Sequence, residues 1–291
     1  AKKEWCGPRS PRTRELWTGR MIEALLAGFF GLLIGSFLNV CIHRWPRDLS
    51  VVAPRSRCPL CDRQISWYDN VPVLSYVILG GRCRACRAPI HWRYPLVELL
   101  TGASFAWFAG HFGLSLATLK YCIFAAIIIG LIFSDLDTLI LPDEFTIGGL
   151  LIGLAFSPFV VVPDSTFAII AELAGFRLGS RASSVGEALF GAFLPAAGLW
   201  FLGWAFEKLR HKEGLGFGDV KMIAAVGAFL GIRGVLFTVI VGSVVGSIVG
   251  LTYIRLASKD AATYQLPFGT FLGLGALLAA LGGQMLAGAL V

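Results

Sequence analysis

Long blocks without charged residues dominate the hydrophobic pattern of this chain. They run for roughly 17–25 apolar residues, the length that an α-helix needs to cross about 30 Å of hydrocarbon. Charges are missing from whole blocks rather than from one helix face, so a soluble amphipathic bundle does not explain the pattern. We predict an all-α, polytopic integral membrane helical bundle of about eight spans. The predicted spans are Ile22–Ile42, Tyr94–Phe112, Leu116–Ser134, Phe145–Pro163, Gly186–Phe206, two helices within Val220–Ile254 that separate at Gly231–Gly234, and Pro267–Leu290.

The segments between the spans divide the chain further. Residues 1–20 are basic, polar and irregular. We expect them to be disordered or foreign to the native chain, with native translation starting at Met21. Residues 21–42 form the first transmembrane span, residues 43–93 a polar loop between the first two spans, and residues 94–291 the membrane core.

Arginine sets the predicted orientation. The 43–93 loop contains nine arginines, and a loop this rich in arginine is expected on the cytoplasmic side of the membrane. Counting spans from there places the basic segments 207–219 and 255–259 on the same side. The formal net charge of +7 follows from this topology, so we predict the lipid bilayer, and no nucleic acid, as a partner.

Composition agrees with the hydrophobic pattern. The chain is 56% hydrophobic with a mean hydropathy of +0.73, whereas soluble domains are about 45–50% apolar. The glycine series Gly242, Gly246 and Gly250 predicts a close contact between helices, because small residues at this spacing let helix backbones approach in lipid.

Four of the seven cysteines form two C-x-x-C pairs, Cys58–Cys61 and Cys83–Cys86. Two such pairs can close a tetrahedral shell of four thiolates around a structural Zn²⁺ ion. A redox-active or disulfide-bonded arrangement is the alternative, which reducing cytoplasmic surroundings disfavour. We expect the loop to need the ion to hold a fold.

Two aspartates lie where apolar helices end or begin. Asp135 follows an uninterrupted apolar run, and Asp219 lies in the sequence Gly216-Phe-Gly218-Asp219 at the start of another. A carboxyl group at a span end is costly and is a functional candidate by default. If the two converge, they share one proton, which supplies the base and the acid for hydrolysis of a peptide bond. The alternative is that they cap helices or anchor them at the interface.

Several motifs together carry a resemblance to a known family. They are Gly35-Ser-Phe-Leu-Asn-Val40, the two cysteine pairs, Trp67-Tyr-Asp-Asn-Val-Pro-Val-Leu-Ser-Tyr76, Arg93-Tyr-Pro-Leu-Val-Glu98, Asp135 followed by Leu141-Pro-Asp143, Gly216-Phe-Gly-Asp219 and Pro267-Phe-Gly269. With these motifs in this order, the chain resembles the bacterial type IV prepilin peptidases, which are bifunctional leader peptidases and N-methyltransferases of the inner (cytoplasmic) membrane.

The resemblance implies roles for individual residues. It makes Asp135 and Asp219 the catalytic pair and the four cysteines zinc ligands. The residues that support the aspartate motifs are Gly216, Gly218, Lys221 and Asp143. Candidate contributors to methyl transfer are Asn70, Gly81 and Glu98. Thr270, where family members often carry proline, is expected to affect only the local start of the last helix.

The resemblance also implies the reaction. The substrate would be a prepilin or pseudopilin, cut on the cytoplasmic side after a short basic leader, and S-adenosylmethionine would methylate the new amine for a type IV pilus or type II secretion system. The alternatives are a proton-coupled transporter and a zinc-dependent docking protein. A zinc peptidase is disfavoured because four thiolates leave no position for water. The sequence does not indicate the oligomeric state.

Overall fold

The computed structural model describes residues 11–162, 165–210, 216–256 and 266–289, and these residues contain helices and no β-strand. The α-helices are α1 (Pro11–Arg44), α2 (Leu74–Ile78), α3 (Arg93–Phe112), α4 (Leu116–Thr138), α5 (Asp143–Phe156), α6 (Thr166–Leu173), α7 (Ser180–Arg210), α8 (Phe217–Leu256) and α9 (Phe268–Ala289). The all-α prediction is confirmed. Residues 1–10 of the expected foreign or disordered segment lie outside the described residues, whereas residues 11–20 belong to α1.

Within the described residues, four helices are long and apolar enough to cross a membrane, namely α1, α4, α7 and α8. Helix α5 has 14 residues, which corresponds to about 21 Å and is shorter than the predicted span Phe145–Pro163. It ends at Phe156, and a turn follows. The number of eight spans therefore remains a prediction.

The predicted break in the longest apolar stretch is confirmed. Within α8, Gly231 has φ 71° and ψ −175°, which is not helical. A left-handed φ of this kind is readily adopted by glycine. The break frees the backbone N–H of Ile232, which donates to the carboxylate of Glu187 in α7 at 3.0 Å.

Helix α4 lies at the centre of the molecule. Its side chains are largely buried, among them Phe124, Ile128 and Leu131, and it packs against α1, α3, α5, α8 and α9. Because α4 ends in the Asp135 region, the most buried helix carries the first candidate carboxyl group.

Glycines set the closest helix contacts. The predicted series Gly242, Gly246 and Gly250 lies against α9 and against Leu266, two residues before it, and a Cβ on Gly242 would stand 3.0 Å from the Leu272 backbone. The predicted close packing is confirmed. A glycine also permits the close contact between α1 and α3, since a Cβ on Gly35 would lie 2.6 Å from the Cα of Glu98.

The segment expected to be a polar connection, 164–185, is partly helical. Ser165 caps α6 by accepting a hydrogen bond from the Ala168 N–H, and α7 already begins at Ser180. The buried carboxylate of Glu187 also accepts from the N–H of Phe167 at 2.7 Å. Two helix starts therefore share one buried carboxylate.

Candidate active site and metal centre

The four predicted metal ligands converge. The sulfur atoms of Cys58, Cys61, Cys83 and Cys86 all lie within 4.8 Å of one another, and those of Cys58 and Cys86 are 3.8 Å apart. A tetrahedral shell with Zn–S bonds of about 2.3 Å places its sulfurs about 3.8 Å apart. The cluster therefore has the dimensions of a four-thiolate zinc site.

The two cysteine pairs have the same backbone geometry, offset by 25 residues along the chain. Cys58 N–H donates to the Arg63 carbonyl, and Cys83 N–H donates to the Ala88 carbonyl. An isolated β-bridge flanks each pair, Arg57–Gln64 at the first and Arg82–Pro89 at the second. Two matching turns thus present two sulfurs each to one point.

Backbone N–H groups favour the thiolate form that metal binding requires. Hydrogen bonds from the N–H groups of Cys61 and Leu60 lower the pKa of Cys58. The equivalent N–H groups of Cys86 and Ala85 lower the pKa of Cys83 to about 6.

Asp135 is buried near the C-terminal end of α4 and meets the start of α9. Its Oδ2 accepts a hydrogen bond from the Thr270 backbone nitrogen at 2.7 Å and another from the Thr270 hydroxyl at 3.0 Å. The Thr270 hydroxyl also lies 3.2 Å from the Ile132 carbonyl. The expectation that Thr270 affects only the start of its own helix is wrong, because α9 begins directly against the Asp135 carboxyl group.

Asp219 is buried in the first turn of α8, in the same region as Asp135, since Gly218 before it and Gly269 beside Asp135 both pack against Leu141. A Cβ on Gly218 would stand 3.2 Å from the Leu141 side chain, and one on Gly269 would stand 3.2 Å from the Asp135 Cγ. Gly218 therefore permits the close approach that its motif predicts. At Gly216, a Cβ would make only an ordinary contact with Asp219.

Two further ion pairs surround the aspartates. Asp143, in the first turn of α5, pairs with Lys221 of α8 at 2.6 Å, so the two predicted motif residues meet. Asp137 pairs with Arg93, the first residue of α3. This ion pair connects the polar loop that ends at Arg93 to the end of α4.

The three candidate methyl-transfer residues have different surroundings. Asn70 is exposed in a 3-10 helix, Trp67–Asn70. Gly81 has φ 64°, and its N–H donates to the Tyr76 carbonyl. Glu98 is buried in α3, where its carboxylate accepts from the Val73 N–H at 2.7 Å. No hydrogen bond joins the side chains of Asn70 and Glu98 in the described residues.

Sequence reasoning missed three contacts: those of Thr270, Arg93 and Glu187. The motif that contains Arg93 does not indicate its ion-pair partner, and Glu187 lies within a predicted span. A buried acid in an apolar helix was the signal for Glu187. No local signal could have linked Thr270 to Asp135.

Fold and site together define a class: a polytopic helical membrane protein that buries two aspartates near helix ends and whose polar loop holds four converging cysteines. Residues 29–112 match the bacterial peptidase A24 N-terminal domain, and residues 122–251 match the type IV leader peptidase family. The chain belongs to the type IV leader peptidase family.

Three relatives extend this match over most of the chain. A prepilin leader peptidase/N-methyltransferase of Aeromonas hydrophila is 36% identical over 89% of this chain and 90% of its own length. The protein of the same name from Stutzerimonas stutzeri is 33% identical, with 90% and 91% covered. The one from Myxococcus xanthus is 40% identical, with 79% and 66% covered. No solved structure matches this chain.

Proposed function

We propose that this chain cleaves the short basic leader of prepilins or pseudopilins and N-methylates the new N-terminal residue. Family membership and the shared name of its relatives support both activities. The observation that carries the proposal is the burial of Asp135 and Asp219 near helix ends, with Thr270 hydrogen-bonded to Asp135.

The aspartate pair would act as an acid and a base. Hydrogen bonds from the Thr270 N–H and hydroxyl favour the ionised form of Asp135, so Asp135 would take a proton from the attacking water. Asp219, close to that negative charge, would keep its proton and donate it to the substrate. The water oxygen bonds to the scissile carbonyl carbon. The C–N bond then breaks as the proton held by Asp135 passes to the departing amine, and Asp219 recovers its proton from the hydroxyl of the intermediate as the carbonyl group forms again.

The position of the pair suits the substrate. A prepilin is basic in its leader and apolar in the helix that follows, so its scissile bond lies at the membrane boundary. Asp135 lies near the end of α4 and Asp219 near the start of α8. With the arginine-rich loop on the cytoplasmic side of the inner membrane, the pair faces the cytoplasm. A proton-relaying transporter would instead place carboxyl groups near mid-span.

Zinc would have a structural role. Cys58, Cys61, Cys83 and Cys86 would hold the ion, and four thiolates complete a tetrahedral shell without leaving a position for water. The ion would therefore hold the two loop turns together and take no part in hydrolysis.

S-adenosylmethionine would supply the methyl group. The Glu98 carboxylate already accepts a hydrogen bond from the Val73 N–H, so it serves the packing of the loop against α3. We derive no step through the cofactor.

Incubation of the purified full-length protein with a synthetic prepilin in detergent tests the proposal. Mass spectrometry should show a product shorter by the leader and, only when S-adenosylmethionine is added, heavier by one methyl group. Cleavage should persist with serine-protease inhibitors. Intact substrate after prolonged incubation with a folded, zinc-loaded protein would refute the peptidase proposal.

A further inference from the structure

Helix α2, within the polar loop, has its polar and apolar faces reversed relative to a water-exposed helix. Leu74, Val77 and Ile78 expose 56%, 68% and 68% of their surface, and their spacing places them on one face. The buried residue is Ser75, whose hydroxyl donates to the Tyr68 carbonyl and accepts from the Val71 N–H. We call Leu74, Val77 and Ile78 the α2 face. A contiguous exposed apolar face rimmed by polar residues indicates a docking surface.

The depth of α2 relative to the long helices is fixed by one hydrogen bond. The N–H of Val73, which immediately precedes α2, donates to the carboxylate of Glu98. Glu98 lies five residues inside α3, which is about 7 Å along the helix axis. One glutamate side chain therefore links the start of α2 to a level inside α3, the helix that packs against α1.

The contact of α1 with α3 locates Glu98 relative to the end of α1, independently of that hydrogen bond. The Cα of Glu98 lies against Gly35, where a Cβ would be only 2.6 Å away. Gly35 precedes the last residue of α1 by nine positions, or about 13 Å. Phe37, close to this level, exposes half of its surface, as expected of a side chain that faces lipid. The start of α2 thus lies alongside the ends of α1 and α3.

The surroundings of α2 suit an anionic membrane surface. The loop 43–93 has nine arginines against three aspartates, a formal net charge of +6 before the cysteines are counted. Arg82 and Arg87 are exposed close to α2 in sequence. Trp67 and Trp92 are also exposed, and tryptophan is enriched at the boundary between lipid headgroups and acyl chains. Arginine beside apolar and aromatic residues is the pattern of interfacial helices.

We propose that the α2 face is an interfacial membrane anchor, which inserts between the headgroups and acyl chains of an anionic phospholipid bilayer. The Glu98–Val73 hydrogen bond holds it at that depth, and the neighbouring arginines contact lipid phosphate. The zinc-binding loop therefore lies against the membrane instead of projecting into the cytoplasm. This arrangement does not depend on the peptidase proposal.

Photo-crosslinking in the full-length protein tests the proposal. The protein is reconstituted in nanodiscs of phosphatidylcholine and phosphatidylglycerol, with p-benzoylphenylalanine in place of Val77. A second protein carries the same group in place of Ile78, so that one misfolded variant does not decide the test. The control carries it in place of Gln64, which is exposed on the first cysteine turn.

After irradiation, mass spectrometry of the loop peptide should show phospholipid adducts at the Val77 or Ile78 position several-fold above the Gln64 control. The excess should grow with the fraction of phosphatidylglycerol. Adduct yields equal to the control would overturn the proposal. So would preferential crosslinking to an added prepilin with little lipid adduct, since the face would then be a substrate-binding surface.

Discussion

Thr270 donates two hydrogen bonds, one from its backbone nitrogen and one from its hydroxyl, to the same carboxylate oxygen of Asp135. Thr270 lies in the first turn of α9, so the N-terminal end of that helix faces the carboxylate. Helix N-termini stabilise negative charge. This contact gives the two aspartates of the site different surroundings, as division into an acid and a base requires.

Removal of the Thr270 hydroxyl should slow cleavage. Thr270→Val keeps the shape of the side chain and the backbone donor but loses one hydrogen bond to a charged group, which contributes about 1.5 kcal/mol or more. We expect kcat to fall roughly tenfold with little change in KM. Steady-state cleavage of a prepilin peptide measures both constants.

Thr270→Ser is the matched control for this change. It retains the hydroxyl group and should keep kcat within about threefold of the unaltered protein, since its lost methyl group makes no hydrogen bond. Equal rates for the valine and serine variants would show that the hydroxyl does not act on Asp135.

The ion pair between Arg93 and Asp137 should hold the zinc-binding loop against the end of α4. Both side chains are largely buried, with 11% and 26% of their surface exposed. Arg93→Gln or Asp137→Asn should each destabilise the protein by about 1–3 kcal/mol, because one charge loses its partner. Thermal unfolding in detergent and the cleavage rate measure the effect.

Exchange of the two charges distinguishes the effect of charge pairing from the effect of side-chain size. The double variant Arg93→Asp with Asp137→Arg restores opposite charges and should recover part of the stability and rate lost in Arg93→Asp alone. A double variant no better than that single variant would argue against a pairwise interaction.

Removal of one cysteine of the cluster should release the metal. Elemental analysis of the unaltered protein should find one zinc ion per chain, since four thiolates fill one tetrahedral shell. Cys58→Ala should lose most of the zinc and make the 43–93 loop sensitive to protease. Cys122→Ala, at a cysteine outside the cluster, should keep its zinc; loss of zinc there as well would show that the ion is bound elsewhere.

Glu187 should be a major contributor to stability although it lies outside the catalytic site. Its carboxylate accepts from Phe167 N–H, Ile232 N–H and the Ser165 hydroxyl. Glu187→Gln turns one acceptor into a donor that faces a donor, so unfolding should become easier by about 2–3 kcal/mol. Glu172→Gln on exposed α6 should change stability by less than about 0.5 kcal/mol. Similar unfolding temperatures for both variants would contradict this role.

Local features were predictable from the sequence. The cysteine spacing predicted a cluster that the fold assembles, because each C-x-x-C turn is determined by a few neighbouring residues. The break at Gly231 was equally local, since a glycine-flanked interruption in an apolar stretch favours a helix end. The aspartates stood out because charge is costly at a span end.

Non-local features were not predictable. Thr270 and Asp135 are 135 residues apart, and no periodicity relates the start of α9 to the end of α4. The end of α5 is a different case, because Pro158, two residues after Phe156, is a local helix-ending signal that the predicted span passes over. The reversed α2 face needed the structure as well, since a five-residue helix has no recognisable pattern within an irregular loop.

The central claim is that Asp135 and Asp219 together perform the cleavage, and single carboxyl-to-amide variants test it most directly. Asp135→Asn and Asp219→Asn are assayed on a prepilin beside Asp137→Asn, which makes the same change two residues from Asp135 on the same helix. All three must elute as folded protein with normal zinc content. We predict no detectable cleavage by the first two and reduced but measurable cleavage by Asp137→Asn. Cleavage that survives in either Asp135→Asn or Asp219→Asn at a rate like that of the control would contradict the account.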